Sequence, residues 1–253
     1  AIHGAKAKSD RIDSAKIAVL VRGGLMPVAY AYPADMRATR DLMRRRLLFV
    51  RQRGSLLAHV QITHHQYNVD PPGKRITYRS NREGLGEGFE DSSVRHSIAA
   101  DLALADHYEV TIGELELAVL RQARIHDPNA LALLTSVPGI GKVLALTILY
   151  EIHDISRFPS VRDFASYSRL VKCERSSAGK SLGSGGNKIG NAYLKWAFSE
   201  AAVLFIAKSE QGRTVITRLE RKYGKPKALS VLAHKLGRAV YYMLARNQAF
   251  DPQ

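Results

Sequence analysis

Leu133-Leu134-Thr135-Ser136-Val137-Pro138-Gly139-Ile140-Gly141-Lys142-Val143-Leu144-Ala145 decides how the rest of the chain is read. An apolar helix ends near Thr135, Pro-Gly-Ile-Gly reverses the chain, and a second apolar helix opens at Lys142. Glycines in the turn reach backbone angles closed to other residues and leave main-chain amides uncovered. Ala145 keeps the two helices close. The spacing is that of a helix-hairpin-helix, whose amides at a helix N-terminus suit a phosphate. Gly139, Gly141 and Lys142 are therefore candidate nucleic-acid contacts. The same pattern also serves as a plain helix corner that only packs.

Downstream, the apolar spacing predicts helices over 193–208, 214–223 and 227–246, with shorter ones over 129–135, 142–151 and 161–167. A Gly/Ser/Lys-rich loop spans 176–190. It opens Cys173-Glu174-Arg175-Ser176-Ser177-Ala178-Gly179-Lys180-Ser181 and runs through Lys188 to Gly190-Asn191-Ala192-Tyr193-Leu194. A serine between Arg175 and Lys180 has the setting to attack phosphorus, the cations offsetting charge on the transferred group. A serine hydroxyl is a weak nucleophile without a base or a metal, and no histidine lies near in sequence. Composition alone equally describes a flexible linker.

Upstream, 97–125 reads as a helix with Ile98, Ala105, Ile112 and Val119 seven apart and Tyr108 and Leu115 between them. This is a coiled-coil-like seam or a helical hairpin packing on its own chain. A loop or flexible insert at 68–96 contains Pro71-Pro72-Gly73 and Gly84-Leu85-Gly86-Glu87-Gly88. A second long helix covers 34–66 and carries Arg37, Arg40, Arg44, Arg45, Arg46, Arg51 and Arg53. So dense a run of arginine points to phosphate contact, against the ordinary alternative of a solvated cationic face. Residues 9–23 read as a helix capped by Ser9, with Ile12, Ala15, Ile17, Leu20 and Val21 as its apolar face. Asp10 and Asp13, three apart, share one side of its first turn. Converging carboxylates suit a hard cation such as Mg²⁺, and acids at a helix N-terminus also complement the helix dipole with no metal at all.

Composition agrees with the motifs. Of 253 residues, 38 are Lys or Arg and 23 Asp or Glu, a formal net charge of +15. That excess favours a polyanionic partner. The hydrophobic share of 45% is enough for a folded core. One cysteine, Cys173, excludes a disulfide framework and fits a reducing compartment. No apolar run is long enough to span a membrane. The chain starts at Ala1 with neither Met nor a signal-like segment, which reads as a processed or truncated protein. His64, His65, His107, His126, His153 and His234 show no metal-ligand spacing, and Trp196, Tyr241 and Tyr242 fall on apolar helix faces.

Taken in order, three segments resemble the DEDD transposases of insertion sequences, the Insertion Sequence 110 and 1111 type. They are Lys8-Ser9-Asp10-Arg11-Ile12-Asp13-Ser14-Ala15, Val137-Pro138-Gly139-Ile140-Gly141 with Phe158 and Phe164-Ala165-Ser166-Tyr167, and Ser177-Ala178-Gly179-Lys180 followed by Gly190 to Ala202. The resemblance covers essentially the whole chain. It implies a mainly α protein in three parts. These are the C-terminal remnant of a RuvC-like (RNase H-like) α/β nuclease domain at 1–33, a long coiled-coil-like helical linker at 34–126, and an all-α helix-hairpin-helix-containing transposase domain at 127–253. It further implies a Mg²⁺ site in which Asp10 and Asp13 are the last two of four acids, the earlier two lying before residue 1. Ser177, with Ser176 as its neighbouring alternative, is the implied nucleophile that joins covalently to DNA. Arg175, Lys180, Lys188 and Asn191 become nucleic-acid contacts in the same site. Double-stranded DNA is the implied partner, in the cytoplasm of a bacterium and at its nucleoid. Some members use a structured noncoding (bridge) RNA as guide, and the family implies a homo-oligomer, dimer or tetramer. The competing expectation is a noncatalytic DNA- or RNA-binding and oligomerisation module.

Overall fold

The computed structural model describes residues 9–26, 29–171, 174–177, 180–184 and 189–251, with 174–177 and 181–184 described by their backbone. The chain divides into two units, residues 1–33 and 34–253. In the first, the Ser9 hydroxyl accepts a hydrogen bond from the Ile12 amide at 3.4 Å and caps helix α1, Asp10–Arg22. Asp10 and Asp13 in the first turn and Arg22 in the last match the helix dipole. The apolar face expected from Ile12 to Val21 is absent: no α1 residue is buried, and Ile17 and Val21 are exposed. At 3.6 residues per turn Ile12 and Val21 fall on opposite sides of the helix, so these residues make no single stripe.

In the second unit, α2 (Ala34–Gln66) and α3 (Ser92–His126) form an antiparallel hairpin. The pairs Arg46–Glu116, Arg53–Glu109 and His59–Asp101 step in opposite directions along the two helices. The seven-residue stripe Ile98, Ala105, Ile112 and Val119 is buried, and α3 packs on α2 of its own chain. Helix α3 starts five residues ahead of the sequence expectation because Asp91 caps it, its carboxylate accepting from the Ser93 amide at 2.7 Å. Val94 is the single apolar residue among Ser92, Ser93, Arg95 and His96, too little to mark a helix start by spacing.

The connection between them is irregular, as expected, yet well packed rather than a loose insert. Val69, Ile76, Leu85 and Phe89 join Leu57, Val60, Val94 and Ile98 in one apolar cluster. Arg82 is buried. It donates to the Ile76 and Thr77 carbonyls and pairs with Asp106 and Glu109. A buried charge is tolerated only with such partners, and these fasten the connection to α3.

The remaining elements are α4 (Pro128–Thr135), α5 (Lys142–Ile152), α6 (Val161–Tyr167), strands β1 (Glu174–Ser177) and β2 (Lys180–Ser184), α7 (Ala192–Lys208), α8 (Glu210–Tyr223) and α9 (Lys225–Arg246). Every residue of α5 from Leu144 to Ile152 is buried. A helix apolar all round belongs at the centre of its domain, and α5 packs against α2, α3, α4 and α7. The mainly α class expected from the sequence holds. The antiparallel β1–β2 hairpin lies within the stretch expected as a loop. Its Ser, Gly and Lys content has low β-propensity, which hides the strands from sequence reading. Among the described residues no helix is long and apolar enough to cross a membrane.

Candidate nucleic-acid interface and serine hairpin

The residues read from sequence as a helix-hairpin-helix form α4, the turn Ser136–Gly141 and α5. Its two glycines do different work. Gly139 is buried with φ +95, and a Cβ there would lie 2.5 Å from the Phe205 amide nitrogen and 2.9 Å from the Leu204 carbonyl carbon of α7. Gly139 therefore lets the turn seat on α7 and faces the core. Gly141 is exposed, caps α5 without a side chain, and has open space around it. With exposed Lys142 next to it, this corner keeps uncapped amides beside a cation, the combination that suits a phosphate.

The serine hairpin rises from a tightly bonded root. Asn191 caps α7, its side-chain oxygen accepting from the Tyr193 and Leu194 amides at 2.9 and 3.0 Å. Its backbone amide donates to the Tyr167 carbonyl at 2.6 Å, and Arg169 Nε donates to the Ile189 carbonyl at 2.9 Å. Gly190, at φ +92, has room only for hydrogen, since a Cβ would meet the Tyr167 carbonyl oxygen at 2.6 Å. The two ends of the 170–190 excursion are thereby clamped together at the end of α6 and the start of α7. Within the hairpin, Ser177 is the register partner of Lys180 and Ser176 that of Ser181, with an irregularity between Glu174 and Ser176. Ser177 and Lys180 are thus the last register pair described in the hairpin. Lys188 and Cys173 lie outside the described residues, and Arg175 is placed by its backbone alone.

Beneath that root lies a buried polar group that sequence reading missed. Glu151, 4% exposed, accepts from Arg44 Nε and Nη2, both at 2.7 Å, and from Asn191 Nδ2 at 2.6 Å. Tyr167 Oη is 3.4 Å from the same Asn191 nitrogen, and the Arg44 guanidinium stacks 4.8 Å from the Tyr193 ring centroid. The hydrogen bonds to Glu151 hold Arg44 charged above its ordinary range, outweighing the opposing effect of burial. One carboxylate thus joins α2, α5 and the first turn of α7. Its signal in the sequence was a single acid in the otherwise apolar run Val143–Ile152, since a charge there requires a partner.

The arginine run of α2 is largely committed within the chain. Arg44 holds Glu151, Arg46 pairs with Glu116, Arg40 meets Asp41 at 3.4 Å, and Arg53 bonds both Glu109 and the Thr77 carbonyl. Arg37, Arg45 and Arg51 are the exposed members. Asn191, read from sequence as a nucleic-acid contact, has both ends of its amide engaged internally and is buried. Asp10 and Asp13 stand on α1 in the other unit, and no group of three or more His, Cys, Asp or Glu suited to a metal occurs among the described residues.

The segment that holds the hairpin turn, the buried Glu151 and the serine hairpin, residues 131–216, matches the model of the Transposase IS116/IS110/IS902 family. That match covers about a third of the chain. Across the chain, the putative transposase y4qE of Sinorhizobium fredii is 26% identical over 246 residues, 96% of this chain and 59% of the relative. The transposase for insertion sequence element IS1111A of Coxiella burnetii is 21% identical over 253 residues, covering 96% and 68%. The transposase for IS1328 of Yersinia enterocolitica is 29% identical over 156 residues, 58% of this chain and 46% of its own length. The chain therefore spans about three fifths of the first of these relatives.

Proposed function

We propose that this chain is the strand-joining part of an insertion-sequence transposase, acting on double-stranded DNA in the bacterial cytoplasm through a serine nucleophile at Ser177. The observation that carries this reading is the clamped hairpin: Ser177 belongs to its last described pair, Lys180 is its register partner, and the root is tied to the domain core through Asn191 and Tyr167. Preorganisation of this kind is what a displacement at phosphorus needs from a protein.

In the proposed step the Ser177 oxygen attacks a backbone phosphorus. A P–O bond to deoxyribose breaks, a serine–phosphate ester forms, and the departing sugar oxygen takes up the proton. One phosphate ester replaces another, so the reverse attack by a different sugar hydroxyl rejoins strands without an external energy source. The cations offset charge on the phosphoryl oxygens. The exposed Gly141–Lys142 corner and the exposed α2 arginines hold flanking phosphates. Mg²⁺ belongs to this reading only through the resemblance. Asp10 and Asp13 alone fall short of the oxygen set such an ion takes, and no step here runs through it. The reading has room for a structured guide RNA and for a homo-oligomer, and the serine step requires neither.

The test is recombination by a complete element carrying Ser177→Ala, with Ser176→Ala in parallel. Loss of strand exchange in the first alone, with DNA affinity retained, is the expected result. Exchange that survives Ser177→Ala with binding intact removes the serine assignment, and a binding-only module becomes the better description.

A further inference from the structure

Helix α8 is sharply two-sided. Gly212, Ile216 and Leu219 are buried, and Gly212 is pressed against Phe205 of α7. On the opposite side Arg213, Thr214, Thr217, Arg218 and Arg221 are exposed and line one open groove, with Glu210 at its head as the groove's acid. Residues 213–227 hold six Lys or Arg against a single acid, Glu220. Lys222, Lys225 and Lys227 continue the positive surface past Gly224 onto the first turn of α9, Lys222 and Lys227 gathered on the Tyr223 ring at 5.3 and 5.2 Å. None of these six cations forms an ion pair with a described residue.

We propose that this face of α8, with the start of α9, is a second nucleic-acid surface that grips the phosphate backbone of double-stranded DNA without reading its sequence. It rests on the reading of the chain as a DNA-joining protein and adds a site away from the serine hairpin. Three points favour the DNA backbone. Arg213 and Arg221 lie eight residues apart on one face, about 12 Å along the helix axis, so the stripe follows a row of charges rather than one small anion. The residues between them are short: the Thr214 and Thr217 hydroxyls donate back to the Glu210 and Arg213 carbonyls, leaving the guanidinium groups to reach outward. The exposed residues of the groove are charged or hydroxylic, with no apolar side chain to insert into a lipid surface or to anchor a protein partner.

The experiment measures affinity of the whole chain for a 30-base-pair duplex of arbitrary sequence as salt is raised. Each phosphate neutralised contributes about 0.9 to the log–log slope on B-form DNA. Replacing Arg213, Arg218 and Arg221 together by Gln should lower that slope by roughly 2–3, equally for unrelated sequences. The triple Lys variant keeps the charge and should keep the slope. All three sites are exposed, so melting temperatures should match the unaltered chain. A slope unchanged in the Gln variant overturns the α8 proposal and leaves the DNA-joining reading standing. Failure of the unaltered chain to bind the duplex at any salt overturns both.

Discussion

Helices α2 and α8 are both rich in arginine, and they use it in opposite ways. On α2 the guanidinium groups of Arg44, Arg46 and Arg53 turn inward to carboxylates of α3 and α5. On α8, Arg213, Arg218 and Arg221 face solvent with no carboxylate partner among the described residues. Density of arginine in a sequence therefore says little about its use. What matters is whether acids on neighbouring helices are placed to meet it: α3 supplies Asp101, Glu109 and Glu116 at about every second turn facing α2, and among the described residues no acid of a neighbouring helix pairs with the α8 arginines. Structural arginines act through stability, and interface arginines through salt-dependent binding.

The sharpest way to break this contrast is at Glu151. Glu151→Ala strips Arg44 and Asn191 of their shared acceptor, and removing one member of a buried pair typically costs about 3–5 kcal/mol. The low end, about 3 kcal/mol, is expected here because the Arg44 side chain is 34% exposed and can rehydrate. Urea unfolding checks it. The α8 triple Gln variant should change stability by less than about 0.5 kcal/mol, as exposed substitutions do. Equal losses from the two would erase the distinction between the helices.

A smaller effect sharpens the same division within the α4–α5 turn. Gly139→Ala forces a side chain into left-handed backbone against the Phe205 amide and should cost roughly 1–3 kcal/mol from the backbone alone. Gly141→Ala, in open space at φ −80, should cost under about 1 kcal/mol. If Gly141→Ala nevertheless weakens DNA binding, the turn has one structural and one interface glycine. Matching melting curves for the two variants would contradict that assignment.

The smallest effect concerns His234 on α9. Burial, and after it Arg238 and Lys235, push its pKa below the ordinary histidine range. The folded state then binds a proton less readily than the unfolded one, so the associated stability is full above about pH 6.5 and is lost as pH falls through the lowered folded value. His234→Gln should flatten that part of the stability profile. Added salt should raise the His234 midpoint, read by NMR, by screening the two cations while leaving the burial contribution in place. A midpoint insensitive to salt would mean that burial alone sets it.

Much of the helical layout was legible because long amphipathic helices repeat their signal: the bounds of α2 and the buried stripe Ile98–Val119 follow from spacing alone. The first turns of α3 and α8 were not, since Asp91 and Ser209 cap helices whose opening residues are polar. Glu151 and the root of the serine hairpin escaped for another reason. Their partners lie 107 and 40 residues away in the chain, and no local pattern encodes a contact at that distance. Residues at the hairpin turn and in the serine loop were visible as motifs, whereas the internal engagement of Asn191 and Arg44 needed three dimensions. The α8 surface was present in the sequence as an alternation of Arg and Thr against Ile and Leu.

The central claim, that Ser177 takes over a DNA strand, is tested most directly by trapping the intermediate. A complete element should be quenched during reaction on double-stranded DNA, digested, and the peptides carrying nucleotide identified by mass spectrometry. The account predicts a nucleotide linked to Ser177, with no adduct in Ser177→Ala. A nucleotide found on Ser176 or on any residue outside the hairpin, or strand exchange with no protein-linked DNA at any time, would contradict it.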